Sequence, residues 1–383
     1  MIESTYLIVG GGMTGDAAAK GIRDVDADGK IVLVGEEQHA PYSRPPLSKA
    51  LWSGKDESSI WRGTEETGAE LRLGRRIVSL ALDAHEARDD AGETYRYEKV
   101  LLATGGTPRQ LPFGGDGVVY FRTLDDFRRL RELAREGSRA TVIGGGFIGS
   151  EIAAALASNG ATVTMVFPED GICARVFPAA LSEAVNGYYR EKGVDVRTGA
   201  LVQGIEGTTV VLGERETLEG DVIVAGLGIV PNVELASEAG LEVDNGIVVD
   251  EYGRAGGRDD VFAAGDVARF PLGALGVKTR IEHEDHAKSQ GRRVGANMGG
   301  RLEPYDHVPF FYSDLFDLGY EAVGELDSRL QTVGEIGDLH AKATLWYVDA
   351  ERRPRGALLW NTFGKVDEAT AALLAGEPVT AGV

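Results

Sequence analysis

Apolar residues in this chain fall in short unbroken runs, and several of the runs stop abruptly at glycine. Tyr6–Val9 reads Tyr-Leu-Ile-Val, then Gly-Gly-Gly-Met-Thr-Gly, then an Ala-rich helical stretch. That order predicts a strand buried on both faces, a tight turn and a helix. The sequence Ala-Thr-Val-Ile-Gly-Gly-Gly-Phe-Ile-Gly, ending at Gly149, repeats the pattern before a second Ala-rich stretch. Further apolar runs end at Thr104-Gly105, at Gly226-Leu227-Gly228 and, over Val261–Ala268, at Gly265-Asp266.

The two turns spell G-x-G-x-x-G with Gly10, Gly12, Gly15 and with Gly144, Gly146, Gly149. Each glycine answers a separate demand: a tight turn, approach of the backbone to a pyrophosphate, and close helix-to-strand packing. A helix that begins there offers free N–H groups and a positive dipole end to phosphate. An acid should follow the next strand to take a ribose hydroxyl, and Glu36 and Glu169 occupy those positions. Two copies in this context imply two dinucleotides and electron passage between them.

Composition narrows the setting. The chain has 383 residues, 43% hydrophobic and 26% charged, as a protein with two or three cores would have. Forty basic against sixty acidic side chains give a net charge of −20, which repels phosphate backbones and anionic membrane surfaces. No nucleic-acid or membrane partner is expected. Met1 leads directly into the first strand without a basic leader, and no apolar run reaches the ~18 residues of a membrane span, so a cytoplasmic location is expected. Cys173 is the single cysteine. It excludes an internal disulfide or a Cys-x-x-C pair within this chain and is expected to be a buried or half-buried, inert thiol.

The order of the runs suggests an α/β fold with two Rossmann-like nucleotide-binding domains, one inserted in the other. The first spans 1–112 with 243–307 and the second 113–242. Residues 308–383 carry alternating aromatic runs (Pro-Phe-Phe-Tyr-Ser-Asp-Leu-Phe, Ala-Thr-Leu-Trp-Tyr-Val, Gly-Ala-Leu-Leu-Trp) and a short helical pattern. They read as a small C-terminal α+β domain.

With these features together, the chain resembles the FAD-dependent pyridine-nucleotide reductases of the glutathione-reductase superfamily. The segment Ala-Pro-Tyr-Ser-Arg-Pro-Pro-Leu-Ser-Lys (40–49) looks like that of oxygenase-type ferredoxin reductases. The stretch from Arg280 to Met298 and the run Pro-Phe-Phe-Tyr-Ser-Asp-Leu-Phe-Asp-Leu-Gly-Tyr are similar to apoptosis-inducing factors and monodehydroascorbate reductases.

The resemblance implies FAD in the first domain and NADH in the inserted one. Gly10, Gly12, Gly15 and Glu36 would hold the FAD pyrophosphate and ribose, Thr104 and Gly105 would close over it, and Asp266 would hold the ribityl chain. Arg44, Pro45 and Lys49 would lie along the flavin, with Lys49 paired to Glu151 of the NADH-domain helix. Glu282 and His283 would lie by the nicotinamide, and Tyr312 falls where apoptosis-inducing factors carry a tryptophan. On the NADH side stand Gly144, Gly146, Gly149, Glu151, Glu169 and Gly228. Lys49, Glu151, His283 and Tyr312 would carry the catalytic roles. The Glu-His-Glu-Asp-His run at 282–286 also invites a metal reading, but it lacks an enclosing shell and reads as the start of an acidic helix turn, so no metal is expected.

Glu169 favours NADH, because a carboxylate repels the 2′-phosphate of NADPH; Pro168 displaces it from the commonest register, and Arg175 could restore some NADPH binding. With Ser43 where single-cysteine relatives carry a thiol, the expected acceptor is a [2Fe-2S] ferredoxin or a small molecule such as a quinone. Arg128, Arg129 and Arg131 read as a solvated helix face. The rival expectation is a slow redox sensor resembling apoptosis-inducing factors, with a homodimer formed on NADH reduction.

Overall fold

A computed structural model describes residues 1–213 and 216–380, so Glu214, Arg215 and the last three residues of the segment 308–383 lie outside the described residues. The chain forms two compact units. Unit 1 comprises 1–43, 58–107 and 230–309, and unit 2 comprises 44–57, 108–229 and 310–383.

Unit 1 is built on a seven-stranded sheet. Its core is parallel and runs Glu70–Leu73, Ile31–Gly35, Ile2–Val9, Thr94–Leu102 and Val261–Ala263. The first strand begins earlier than the apolar run that announces it, because Ile2–Ser4 pair with Tyr95–Tyr97. Along it Leu7 and Val9 point into one buried cluster while Tyr6 and Ile8 point into another, which is why the run is apolar without alternation. One face is covered by helices Met13–Arg23 and Glu284–Met298. These two cross at backbone contact: a Cβ on Gly21 would lie 2.0 Å from the Arg292 carbonyl oxygen, and one on Gly295 would lie 2.1 Å from that of Ala18.

Unit 2 repeats the logic with a five-stranded parallel sheet in the order Asp195–Arg197, Thr162–Val166, Arg139–Ile143, Val222–Ala225, Val118–Tyr120. A three-stranded antiparallel sheet supplies Val202, Val210 and Leu212 to the core with Ile143, Val166 and Ile223. The aromatic runs of the C-terminal segment form a five-stranded antiparallel sheet of Phe310–Leu315, Leu318–Gly324, Pro354–Trp360, Ala343–Val348 and Gln331–Val333, followed by helix Val366–Ala375. Tyr320 and Trp360 stack in its core at 5.9 Å with rings 7° from parallel. No helix among the described residues is long and apolar enough to cross a membrane.

Candidate active site

In unit 1 the first turn is shaped by steric exclusion. Gly10 has φ +129°, and a Cβ there would lie 2.1 Å from the Ala103 carbonyl oxygen, so the turn presses against the start of Thr104-Gly105. A Cβ on Gly15 would lie 2.2 Å from the Gly10 oxygen. Gly12 differs: its φ is −96° and a Cβ would meet nothing within 4 Å. The fold therefore requires the first and third glycines, and only a ligand approaching the helix N-terminus requires the second.

Other expected residues gather at this turn. Glu36 follows strand Ile31–Gly35 directly and is exposed, and Gly35 lies against Gly11. Gly265, with φ +76°, packs on Thr14 so closely that a Cβ would lie 2.1 Å from its hydroxyl, which sets Asp266 beside the same helix end. Gln290 accepts a hydrogen bond from the Gly265 N–H at 2.8 Å and ties this turn to helix Glu284–Met298. Thr104 Oγ1 donates to the Asn232 carbonyl at 2.8 Å, and Asn232 Nδ2 donates back to Thr104 at 2.9 Å.

Two neighbours of this corner were not legible as site residues. Half-buried Arg280 donates to the Asp266 carbonyl at 3.0 Å and pairs with Glu282 at 2.7 Å, and its Nε has no hydrogen-bond partner among the described residues. Buried His286 stacks on Phe270 at 4.7 Å and shares its Nδ1 with the Tyr305 hydroxyl at 3.1 Å, and its Nε2 has no hydrogen-bond partner among the described residues. His283 occupies the N-cap position of this helix without a side-chain capping bond, and desolvation pulls its pKa down to about 4 against the opposing pull of Asp266. The Glu-His-Glu-Asp-His run thus does begin a helix, with Glu284 and Asp285 in its first turn.

A buried carboxylate anchors the first helix. Asp16 is 0% exposed, yet it meets Arg62 Nε at 2.6 Å, Lys20 Nζ at 3.0 Å and the Thr64 hydroxyl at 2.8 Å. An isolated charge could not be buried there without such partners. Only an acid in an Ala-rich, sheet-covering helix hinted at it in the sequence.

Unit 2 presents the second turn in the same form. Gly144 has φ +114° and its Cβ would lie 2.4 Å from the Gly226 oxygen, while one on Gly149 would lie 2.0 Å from the Gly144 oxygen. Gly146, with φ −81°, again has open space. Gly228 has φ +79° and its carbonyl accepts from the Arg109 N–H at 2.9 Å.

Helix Phe147–Ser158 carries Glu151, 4% exposed, which pairs with Lys49 at 2.6 Å. Lys49 follows the tight turn Pro45–Ser48, and its ammonium also lies 5.4 Å from the centre of the 38%-exposed Tyr312 ring. Arg44 donates to the Arg122 carbonyl at 2.9 Å.

Glu169 lies beyond strand Thr162–Val166 and pairs with Arg175 at 2.9 Å. Its loop is pinned by Asn186, which accepts from the Ile172 N–H, and by Ser182, which donates to the Ile172 carbonyl. Cys173 is buried, and desolvation pushes its pKa up to about 12, the state of an inert thiol. The exposed arginines of helix Leu124–Leu133 are engaged within the unit: Arg128 pairs with Glu57, and Arg131 donates to the Leu51 carbonyl and lies over Trp52.

A family model described as pyridine nucleotide-disulphide oxidoreductase matches residues 4–291. The chain belongs to this family. A second model, for the C-terminal part of mitochondrion-associated apoptosis-inducing factor, matches residues 294–353. Mitochondrial apoptosis-inducing factor 1 of Dictyostelium discoideum is 34% identical, over 96% of this chain and 78% of that protein. The ferredoxin–NAD(+) reductase component of the Burkholderia cepacia anthranilate 1,2-dioxygenase system is 37% identical, over 87% of this chain and 85% of that protein. The crystal structure of the covalent putidaredoxin reductase–putidaredoxin complex superposes with a TM-score of 0.91 at 31% identity, covering 99% of this chain and 95% of that one.

The cofactors of this oxidoreductase are FAD and NADH, and the residues present fit both. The space at Gly12 and at Gly146 lies where a helix N-terminus receives a pyrophosphate. The partnerless Nε of Arg280 and Nε2 of His286 lie at the Asp266 corner, on the side expected to take the flavin chain. The disulphide in the family's description has no counterpart in a chain with one cysteine.

Proposed function

We propose that this oxidoreductase takes a hydride from NADH and passes the electrons singly to a [2Fe-2S] protein of the ferredoxin type. The observation that carries the reading is the pair of glycine turns, each open only at its middle glycine, in a chain with no second thiol to take the electrons. When bound, FAD supplies the redox chemistry, accepting two electrons and giving them up.

The protein holds and orients the two nucleotides. Residues 1–112 with 243–307 hold FAD, through the helix end at Gly12, Glu36 on the ribose, Thr104-Gly105 over the nucleotide and Asp266 on the ribityl chain. Residues 113–242 hold NADH, through the helix end at Gly146, Gly228, and Glu169 on the adenosine ribose. Glu282 and His283 orient the nicotinamide, and a His283 kept neutral by desolvation adds no charge beside it. Arg44 and Pro45 set the turn from which Lys49 reaches the flavin. Lys49 holds a positive charge there, balanced by Glu151, and acts as a tuning charge instead of a proton donor. Tyr312 lies against the same ammonium, and residues 308–383 cap this site. The compartment we propose is the cytoplasm, to be checked by fractionation.

Rapid mixing tests the proposal. The yellow protein is reduced anaerobically with one equivalent of NADH and then mixed with an oxidised [2Fe-2S] ferredoxin or with aerated buffer. Faster return of oxidised flavin with ferredoxin than with air is expected. Slow return with both, a persistent long-wavelength band and an NADH-dependent dimer would overturn it in favour of a redox sensor, the reading that the match to apoptosis-inducing factor at 294–353 supports.

A further inference from the structure

Glu151 has more partners than an ion pair needs. On Oε2 it receives Lys49 Nζ at 2.6 Å and the Ser48 hydroxyl at 2.5 Å; on Oε1 it receives the Ser313 hydroxyl at 2.6 Å. Ser48, Glu151 and Ser313 are 5%, 4% and 1% exposed. Donors from separate elements on the two oxygens fix the carboxylate plane as well as its position.

Ser313 is the informative member. It sits in strand Phe310–Leu315 opposite Tyr320, whose ring stacks on Trp360 and meets Phe177 edge-on. The Tyr320 hydroxyl faces Ser313 across the strand pair, yet the hydrogen bond that Ser313 donates goes to Glu151, and a buried hydroxyl without a partner is costly. Alternation along the strand then places the next-door residue on the other member of the pair: Ser313 reaches inward to Glu151, and exposed Tyr312 lies against the Lys49 ammonium. One short strand of the C-terminal sheet therefore holds both ends of the ion pair.

We propose that Ser313 is a positioning residue which, through Glu151, fixes where the Lys49 ammonium stands, so that the C-terminal sheet sets the charge presented to the flavin. This rests on the reading that Lys49 serves the flavin. Without Ser313, Oε1 loses its donor, the carboxylate is free to turn, and Lys49 follows it.

The test is the reduction potential of the flavin in the holoenzyme, measured by anaerobic dye-coupled titration for wild type, K49M, S313A, S313T and K49M/S313A. S313A is expected to change the reduced-to-oxidised ratio at a fixed potential by about three- to tenfold, the net worth of one typical hydrogen bond. S313T, which keeps the hydroxyl, should restore the wild-type value, and S313A should add nothing in the K49M background. S48A, which removes a donor from Oε2, should act in the same direction as S313A and serves if S313A does not fold. A shift with K49M but none with S313A overturns the proposal, as does an S313A shift undiminished in K49M. No shift with K49M itself overturns the underlying reading, and the proposal with it.

Discussion

Gly10 and Gly144 share a positive φ and a carbonyl oxygen where a Cβ would be, whereas Gly12 and Gly146 share an ordinary φ and open space. The two turns are thus sterically the same object made twice. What differs is the acid just behind each. Asp16 stands one residue after the third glycine and is bound by Arg62, Lys20 and Thr64. Glu151 stands two residues after it and is bound by Lys49, Ser48 and Ser313. Both cations that come from outside the helices, Arg62 and Lys49, are supplied by one stretch of chain, which enters unit 2 at Arg44 and returns to unit 1 at Ser58. The first acid fastens that stretch to a helix, and under the proposed function the second places a charge for use. Similar burial and pairing would then serve architecture in one copy and chemistry in the other.

The comparison breaks most visibly at the glycines. Gly15→Ala and Gly149→Ala force a Cβ into a backbone oxygen and should cost about 3 kcal/mol or more, seen as loss of soluble protein. Gly12→Ala should match the melting temperature of the flavin-free wild type, and Gly146→Ala should leave the melting temperature nearly unchanged. The first should strip flavin from the purified protein, and the second should raise KM for NADH about tenfold with flavin retained. A collapse of G12A or G146A would mean the middle glycines are structural after all.

The acids come next. Asp16→Asn strands Arg62 and Lys20 and should cost about 3 kcal/mol in denaturant unfolding, with the rate of flavin reduction by NADH little changed in the folded fraction. Glu151→Gln strands Lys49 in a pair of similar burial and should cost a comparable stability, but it should also slow that rate about tenfold. Equal effects of the two variants on both readouts would erase the distinction between fastening and tuning.

A smaller change concerns the acid after the second strand. Glu169→Arg should narrow the ratio of kcat/KM for NADH over NADPH about tenfold, since it replaces a carboxylate by a cation near the ribose and frees Arg175 from its pair. An unchanged ratio would remove Glu169 from nucleotide choice.

The smallest effect expected is on pH dependence. His283 and His286 have folded-state pKa values of about 4 and about 3, below the ordinary 6.5, because burial disfavours their charged forms. The unfolded chain therefore takes up their protons first, so stability should fall as pH drops from 6.5 towards about 4. His307 works in the other sense: Asp285 raises its pKa, so its contribution is full at acid pH and lost as pH rises through that raised value. Melting temperatures across this range should fall less steeply for His286→Gln than for wild type, by a few degrees. Parallel curves would mean that His286 is not the group being titrated.

The glycine turns, the acids after the strands and the apolar runs were legible in the sequence because each is a local rule: a positive φ, a missing Cβ or a run buried on both sides leaves its mark within a few residues. The alternating aromatic runs foretold the C-terminal sheet for the same reason. The Lys49–Glu151 pair was legible only through resemblance, since nothing near either residue names its partner. Ser313, 162 residues from Glu151, and Arg62, 46 residues from Asp16, carried no local signal at all. The unpartnered nitrogens of Arg280 and His286 were equally invisible. The sequence by itself determined the two strand–turn–helix units and the glycines that shape them, because backbone sterics and helix ends are short-range. Tertiary structure decided which partners hold the buried acids, because a buried charge is defined by whichever distant donors the fold brings to it.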